Sequence, residues 1–590
     1  MDQITNKLSK IFAASLLAIM FVLMFGSSWN DSATFDEVAH IPAGYSYLTQ
    51  KDMRLNPEHP PLVKDLAAIP LLFLNLNFPT NIPAWTESIE SRQWDMGKAF
   101  LYEAGNNPDQ ILRFSRFPIM LLALLFGWLL FRWVAKNYDN KTALLTLFFY
   151  AMSPTVIAHS RYVTTDLGAS LGFFIALTSF FYFLKQPNKR NIIISSLLLG
   201  VAFLLKFSTV ILGPIFIVLG ILWVFLENFD NKRAILKESL KMIGKIALIG
   251  IIALLVVEIF YAYHVWNFPA EQQVADIKAI LNSKGGLLAV GPLSWMARNR
   301  ALQPIGEYFY GVISVTQREA GGNSAYFMGT VYSKATPWYF PALYLFKESL
   351  IFHILTIIAL WFSLKNIIRA KEKSWRAAIG WMKNNFIITG SVVFIAVYLI
   401  QAITGNLNIG VRHILPTLPF IYFLVARQIV RWVNVPRVRY YLVSILLLIM
   451  AAVTILTFPY YLSFFNILGG GTNNGYKIAT DSNYDWGQDM KRLRDWMTEN
   501  NVPPPGEKIA LHYFGGGSGK YYFGDKYEDW WSSKGQPPAG TWFAISANAR
   551  EGSVATPVRG FVKNPGDDYW WLAGKTPVDR AGSSIFIYKF

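Results

Sequence analysis

Not one of the 590 residues is cysteine. Disulfide frameworks, iron–sulfur clusters and thiolate zinc sites are thereby excluded, while an oxidising compartment is permitted. The chain contains no Walker A sequence and no dinucleotide-type glycine motif after a strand. A soluble sugar nucleotide therefore has no recognisable seat. Internal repeats and low-complexity blocks are missing too. That absence bears on transport, because many transporters are built from two matching halves. Charge is sparse, at 15% of residues, against 53% hydrophobic and 16% aromatic residues. With a mean hydropathy of +0.31, this is the composition of a polytopic membrane protein. The formal net charge of +17 fits basic cytoplasmic loops better than nucleic-acid binding, which is not expected.

Eleven apolar stretches are candidates for membrane spans: 11–25, 113–131, 142–158, 168–184, 191–205, 208–226, 243–263, 344–364, 384–402, 414–430 and 440–460. Several approach the ~20 residues that a bilayer requires. The first, preceded by Lys7 and Lys10, is longer than a signal-peptide core and lacks a small-x-small cleavage site, so it is read as a retained helix. Basic residues collect in alternate loops: 132–141, 185–190, 231–245, 365–383 (Lys365, Arg369, Lys371, Lys373, Arg376, Lys383) and 427–439. This alternation predicts an inside N-terminus and three large outer segments, 31–112, 264–343 and 461–590. The last opens on Gly469-Gly470-Gly471 and carries two alternating runs, at 541–546 and 584–589, that predict strands. Between them and the membrane, Trp486 to Met497 has helical spacing. The expected organisation is a transmembrane core over 1–460 and an extracytoplasmic α/β domain over 461–590.

The unusual polar residues between spans fall on the predicted outer side. Asp36 and Glu37 stand where the chain leaves the first span, and Glu58-His59-Pro60-Pro61 follows. Asp166 precedes the fourth span, Lys206 interrupts the apolar run at 204–208, and Arg412-His413 opens the tenth. Each has a plain reading. Asp166 suits a helix N-cap, Lys206 can snorkel to headgroups, Arg412 can anchor at the interface and His59 can serve a turn. Together they supply acids to accept a proton and cations to hold a phosphate, which fits sugar transfer from a lipid phosphate. Glu58 and His59 also offer oxygen and imidazole ligands to a divalent metal, with His264 as a further donor, although a structural turn explains them equally.

Phe35-Asp36-Glu37, Glu58-His59-Pro60-Pro61-Leu62 and Asp166, in that order, resemble the C-type membrane glycosyltransferases. Within that family the likeness is to the protein O-mannosyltransferases and the lipid A aminoarabinose transferases. It runs over residues 11–230 and extends to Arg412-His413-Ile414-Leu415-Pro416, similar to the family's late Arg-Tyr-x-x-Pro element. The resemblance implies a sugar moved, with inversion, from a polyprenyl-phosphate carrier to a lipid, glycan or protein acceptor at the outer face of a bacterial inner membrane. Asp36 matches the catalytic base, with Glu37 in support. Asp166 matches a second, substrate-orienting acid, and Glu58 a carboxylate that coordinates metal in some members. Lys206, Arg412 and His413 fall where donor phosphate is bound. His59 departs from the lysine common after that glutamate. Asn483-Tyr484-Asp485-Trp486-Gly487 differs in order from the oligosaccharyltransferase Trp-Trp-Asp-Tyr-Gly motif, so no acceptor role is carried onto it. An oligosaccharyltransferase-like enzyme, a flippase or transporter, and an envelope scaffold remain the alternatives.

Overall fold

The computed structural model describes residues 5–87, 91–281, 284–370, 372–433, 437–558, 560, 562 and 569–590; Lys371 lies outside them. Among the described residues, nine helices are long and apolar enough to cross a membrane: Asn6–Ser28, Pro108–Asn137, Asp166–Lys185, Phe207–Glu227, Lys232–His264, Leu350–Ile368, Phe386–Thr404, Val411–Val433 and Arg437–Leu456. They correspond to nine of the eleven expected spans. Large apolar side chains such as Val22, Ile259, Leu360 and Leu448 stand exposed on them. In water that would be unfavourable, and against hydrocarbon it is expected. The Asp166–Lys185 helix is the inner one, with 89% of its apolar window buried by its neighbours.

The other two expected spans are shorter. Lys189–Leu205 is a continuous 17-residue helix. The 142–158 stretch is two pieces, Asn140–Ala151 and Pro154–His159. Pro154 has no N–H to continue the ladder and disfavours a helical Ser153, whose hydroxyl instead caps the next helix at Val156 N (3.2 Å). That break was readable from Ser153-Pro154.

The outer segments fold onto the predicted outer end of the bundle. Phe35–Gln50 is a helix started by a capping box: Thr34 N and Oγ1 both donate to Glu37 Oε2 (2.9 and 3.1 Å). Strands β1 (Ala325–Phe327) and β2 (Thr330–Tyr332) form a hairpin turned at Met328-Gly329, both at positive φ. In the tail, β3 (Ile509–His512), β4 (Tyr527–Asp529), β5 (Trp542–Ser546), β7 (Asp579–Ala581) and β8 (Ile585–Lys589) make a mixed sheet in the order β4-β3-β5-β8-β7. The short β6 (Thr556–Pro557) pairs in parallel with β2, Thr330 opposite Thr556, so the tail and the second outer segment share a sheet. The helical spacing after Trp486 becomes a helix at Met490–Glu499, with Met490, Leu493, Trp496 and Met497 buried against the sheet.

Candidate active site

The Phe35–Gln50 helix aims two neighbouring acids in different directions, because successive residues are turned about 100° apart. Asp36 faces a cavity of ≈ 170 Å³. Glu37 faces the interior, fully buried, and does not line that cavity. Its carboxylate receives Arg116 Nε (2.8 Å) and Nη2 (2.7 Å) as well as Val163 N (3.1 Å). Arg116 also donates to the carbonyls of Ser28, Asp31 and Ser32. Glu37 therefore stands behind the cavity and fixes the start of the helix that carries Asp36. Its two oxygens tie the helix start to Thr34, to the Pro108–Asn137 helix through Arg116, and to the 160–165 turn through Val163.

Four of the other expected residues form one charge cluster, three lining the cavity (Asp36, Lys206 and Arg412) and Asp166 just behind them. Asp166 lies in the first turn of the inner helix. It receives Lys206 Nζ (2.5 Å) on one oxygen and Arg412 Nη1 (3.4 Å) on the other. Arg412 Nη1 also donates to Asp36 Oδ2 (2.5 Å). Lys206 reaches inward because it sits in extended backbone (φ −162°, ψ 141°) between the Lys189–Leu205 helix and a 3₁₀ turn at Phe207–Ile211. Arg412 belongs to a 3₁₀ segment, Val411–Thr417, whose entry is fixed by Val411 N donating to Asn483 Oδ1 (2.8 Å). His413 lines the cavity, and its carbonyl receives the hydroxyl of Tyr398 (2.9 Å). The four charges balance, and their exposure is graded: 20% for the Asp36 side chain, 15% for Lys206, 10% for Arg412 and 1% for Asp166. Asp36 is thus the more accessible acid. Phe35 and Trp94, rings 4.4 Å apart, line the wall beside it.

Glu58 and His59 line the same cavity, without a third acid or imidazole converging on them among the described residues. Glu58 is engaged by Arg318 of the second outer segment and by Gln93 Nε2 (3.5 Å). The ring of His59 meets that of His40 edge to face at 5.1 Å, and His40 Nδ1 is turned to Val163 O (2.8 Å). Burial holds both imidazoles below their ordinary pKa, His59 well below. Among the described residues no three His, Asp or Glu side chains converge as a ligand group. His264 is elsewhere, with Nε2 on Asp65 Oδ2 (2.8 Å).

The shape of that turn comes from Lys64. Its buried ammonium donates to Tyr47 Oη (2.9 Å), Asn56 O (3.0 Å), Asn56 Oδ1 (2.9 Å) and His59 O (2.8 Å), and burial pushes its pKa down to about 7. A lone lysine after Leu62-Val63 was the available signal. Two tail residues also escaped sequence reasoning. Trp486 packs its ring 4.4 Å from the Arg412 guanidinium. Asp481, held at φ 54°, lies within electrostatic reach of Arg412 and Asp36, and burial lifts its pKa to about 6.

Residues 110–272 match the family model of dolichyl-phosphate-mannose-protein mannosyltransferase, a stretch containing Asp166 and Lys206. Solved structures similar to the chain include an Archaeoglobus fulgidus oligosaccharyltransferase in the apo form (12% identity, 86% of this chain and 62% of that one, TM-score 0.44). They also include ArnT from Cupriavidus metallidurans bound to undecaprenyl phosphate (12% identity, 98% and 97%, TM-score 0.33). A third is the S. cerevisiae protein O-mannosyltransferase Pmt1-Pmt2 complex bound to the sugar donor (18% identity, 45% and 35%, TM-score 0.31). The chain spans less than two thirds of the archaeal and yeast chains. No curated protein matches. The chain is an integral membrane protein that resembles the C-type membrane glycosyltransferases.

Proposed function

We propose that the chain transfers a sugar from a polyprenyl-phosphate carrier to an acceptor hydroxyl at the outer membrane face, with inversion at the anomeric carbon. The observation that carries this is one cluster of charges from four separate segments: Asp36, Lys206 and Arg412 line the cavity, and the buried Asp166 behind them pairs with both cations. Arg412 bridges both acids. A donor phosphate competes for that guanidinium and draws it from Asp36, which leaves the more exposed carboxylate free for the acceptor. Asp36 takes the acceptor's hydroxyl proton as the oxygen bonds to C1 from the face opposite the phosphate. The C1–O bond to phosphate breaks, and the departing oxygen keeps the electron pair, held by Lys206 and Arg412. Asp166 stays between the two cations and orients them. The carrier phosphate is a good leaving group, so no general acid is required.

Residues 461–590 are taken as an outer domain set over this cavity, with the N-terminus inside. The test is direct. Deleting the gene should remove a sugar from one envelope lipid, glycan or protein, identified by mass spectrometry. The wild-type gene should restore it, and the Lys206→Gln form should not. An unchanged envelope in the deletion strain would end the proposal.

A further inference from the structure

The tail segment 482–488 grips the reaction centre from both sides. On the Asp36 side, Phe35 N donates to Trp486 O (3.0 Å) and Ser32 N to Gln488 O (3.0 Å), while Ser32 Oγ donates to Gly487 O (2.7 Å). On the Arg412 side, Asn483 Oδ1 receives Val411 N (2.8 Å) and Ser482 Oγ donates to Ile409 O (3.0 Å). Trp486 stands between them, 1% exposed, with His159 and Tyr162 at its far edges (6.1 and 6.2 Å). The turn after it needs glycine: Gly487 is at φ +94°, and a Cβ there would collide with Gly515 Cα.

Hydrogen bonds alone do not set the plane of Arg412. Its Nη1 holds both acids, its buried Nε has no partner, and no partner is found for Nη2 among the described residues. A guanidinium hinged on one nitrogen can rotate about that bond. The indole ring at 4.4 Å restricts this freedom, since a guanidinium over an aromatic face is attracted to it.

We propose that Trp486 is a positioning residue: it fixes the plane of Arg412 so that the free guanidinium edge meets an oxygen of the carrier phosphate. This rests on the assignment of Arg412 to the phosphate. The tail then supplies part of donor recognition without touching the donor.

The experiment measures the dissociation constant of undecaprenyl phosphate for full-length protein in nanodiscs. The variants are Trp486→Leu, Trp486→Phe, Arg412→Gln and the two double variants that combine Arg412→Gln with either change at 486, each checked by thermal melting. Arg412→Gln should weaken binding roughly 10- to 100-fold. Trp486→Leu should weaken it about 2- to 30-fold, and Trp486→Phe, which keeps a ring, should recover most of that loss. In the Arg412→Gln background Trp486→Leu should add nothing, because the two act through one contact. Unchanged binding in Arg412→Gln would remove the phosphate assignment and this inference with it. Loss in Arg412→Gln with normal binding in Trp486→Leu would overturn the inference alone, as would an equal Trp486→Leu effect in both backgrounds. If Trp486→Leu does not fold, Trp486→Phe carries the test: its smaller face should weaken binding about two- to threefold when Arg412 is present and not in the Arg412→Gln background. The same shift in both would refute positioning.

Discussion

Replacing Asp36 by Asn separates chemistry from binding more cleanly than any other change in the cavity. Asn keeps the shape and gives up the proton acceptor, so turnover should fall by about 10²–10⁴-fold. Binding should move the other way. The wild-type cluster is balanced, two carboxylates against Lys206 and Arg412. Removing one negative charge leaves the cavity with an excess cation. A unit charge ~4 Å from a phosphate is worth ~4 kcal/mol at an effective dielectric of ~20. The 20% exposure of the Asp36 side chain and the guanidinium beside it screen this to roughly 1 kcal/mol, or about fivefold in affinity. The carrier phosphate should therefore bind Asp36→Asn as well as, or a few-fold better than, wild type. The assay is turnover with the sugar-loaded carrier, alongside the dissociation constant of undecaprenyl phosphate, both in nanodiscs. Turnover within threefold of wild type would refute the base assignment. Asp166 would be the next candidate, although it is 1% exposed and already held by two cations. Weaker phosphate binding would refute the competition between Asp36 and phosphate for Arg412.

Glu37→Gln should behave oppositely: it leaves Arg116 buried without its counter-charge, should cost about 3–5 kcal/mol, and should lower the melting temperature, which Asp36→Asn should not. Burial lowers Lys64 from 10.5 to about 7, so between those values the unfolded chain binds more protons than the folded one. Stability should then rise with pH from about 7 towards 10, and melting at a series of pH values should show this slope reduced in Lys64→Met. Reporter fusions placed after Tyr461 should report the outer side, as the alternation of basic loops requires; a cytoplasmic signal would invert the orientation of every segment.

Much of this arrangement was legible along the chain, and the illegible part has a common cause. Composition and charge alternation indicate the membrane bundle because they are sums over many residues. The tail strands at 542–546 and 585–589 followed from local alternation. Asp36, Asp166, Lys206 and Arg412 stood out because isolated charges beside apolar spans need a reason. Which of two adjacent acids faces the cavity was not legible: that depends on Arg116, 79 residues from Glu37. The partner of Glu58 was hidden for the same reason, since Arg318, which engages it, lies 260 residues away. Along the chain Trp486 stands out only as part of a motif in a different order. Its role lies in its place beneath Arg412, which no spacing records.

The grip of the 482–488 segment also orders events in time. Asp36 leaves the ribosome 450 residues before Trp486 (486 − 36). At about 5–20 residues per second, that interval is roughly 20–90 s. Throughout it, the N–H groups of Ser32 and Phe35 lack the tail carbonyls they meet in the folded chain, and for the first 376 residues (412 − 36) the acid they frame has no Arg412 to face. The charged cavity is completed only when the last quarter of the chain arrives, so a nascent or prematurely terminated product sits in the bilayer with that cavity unfinished.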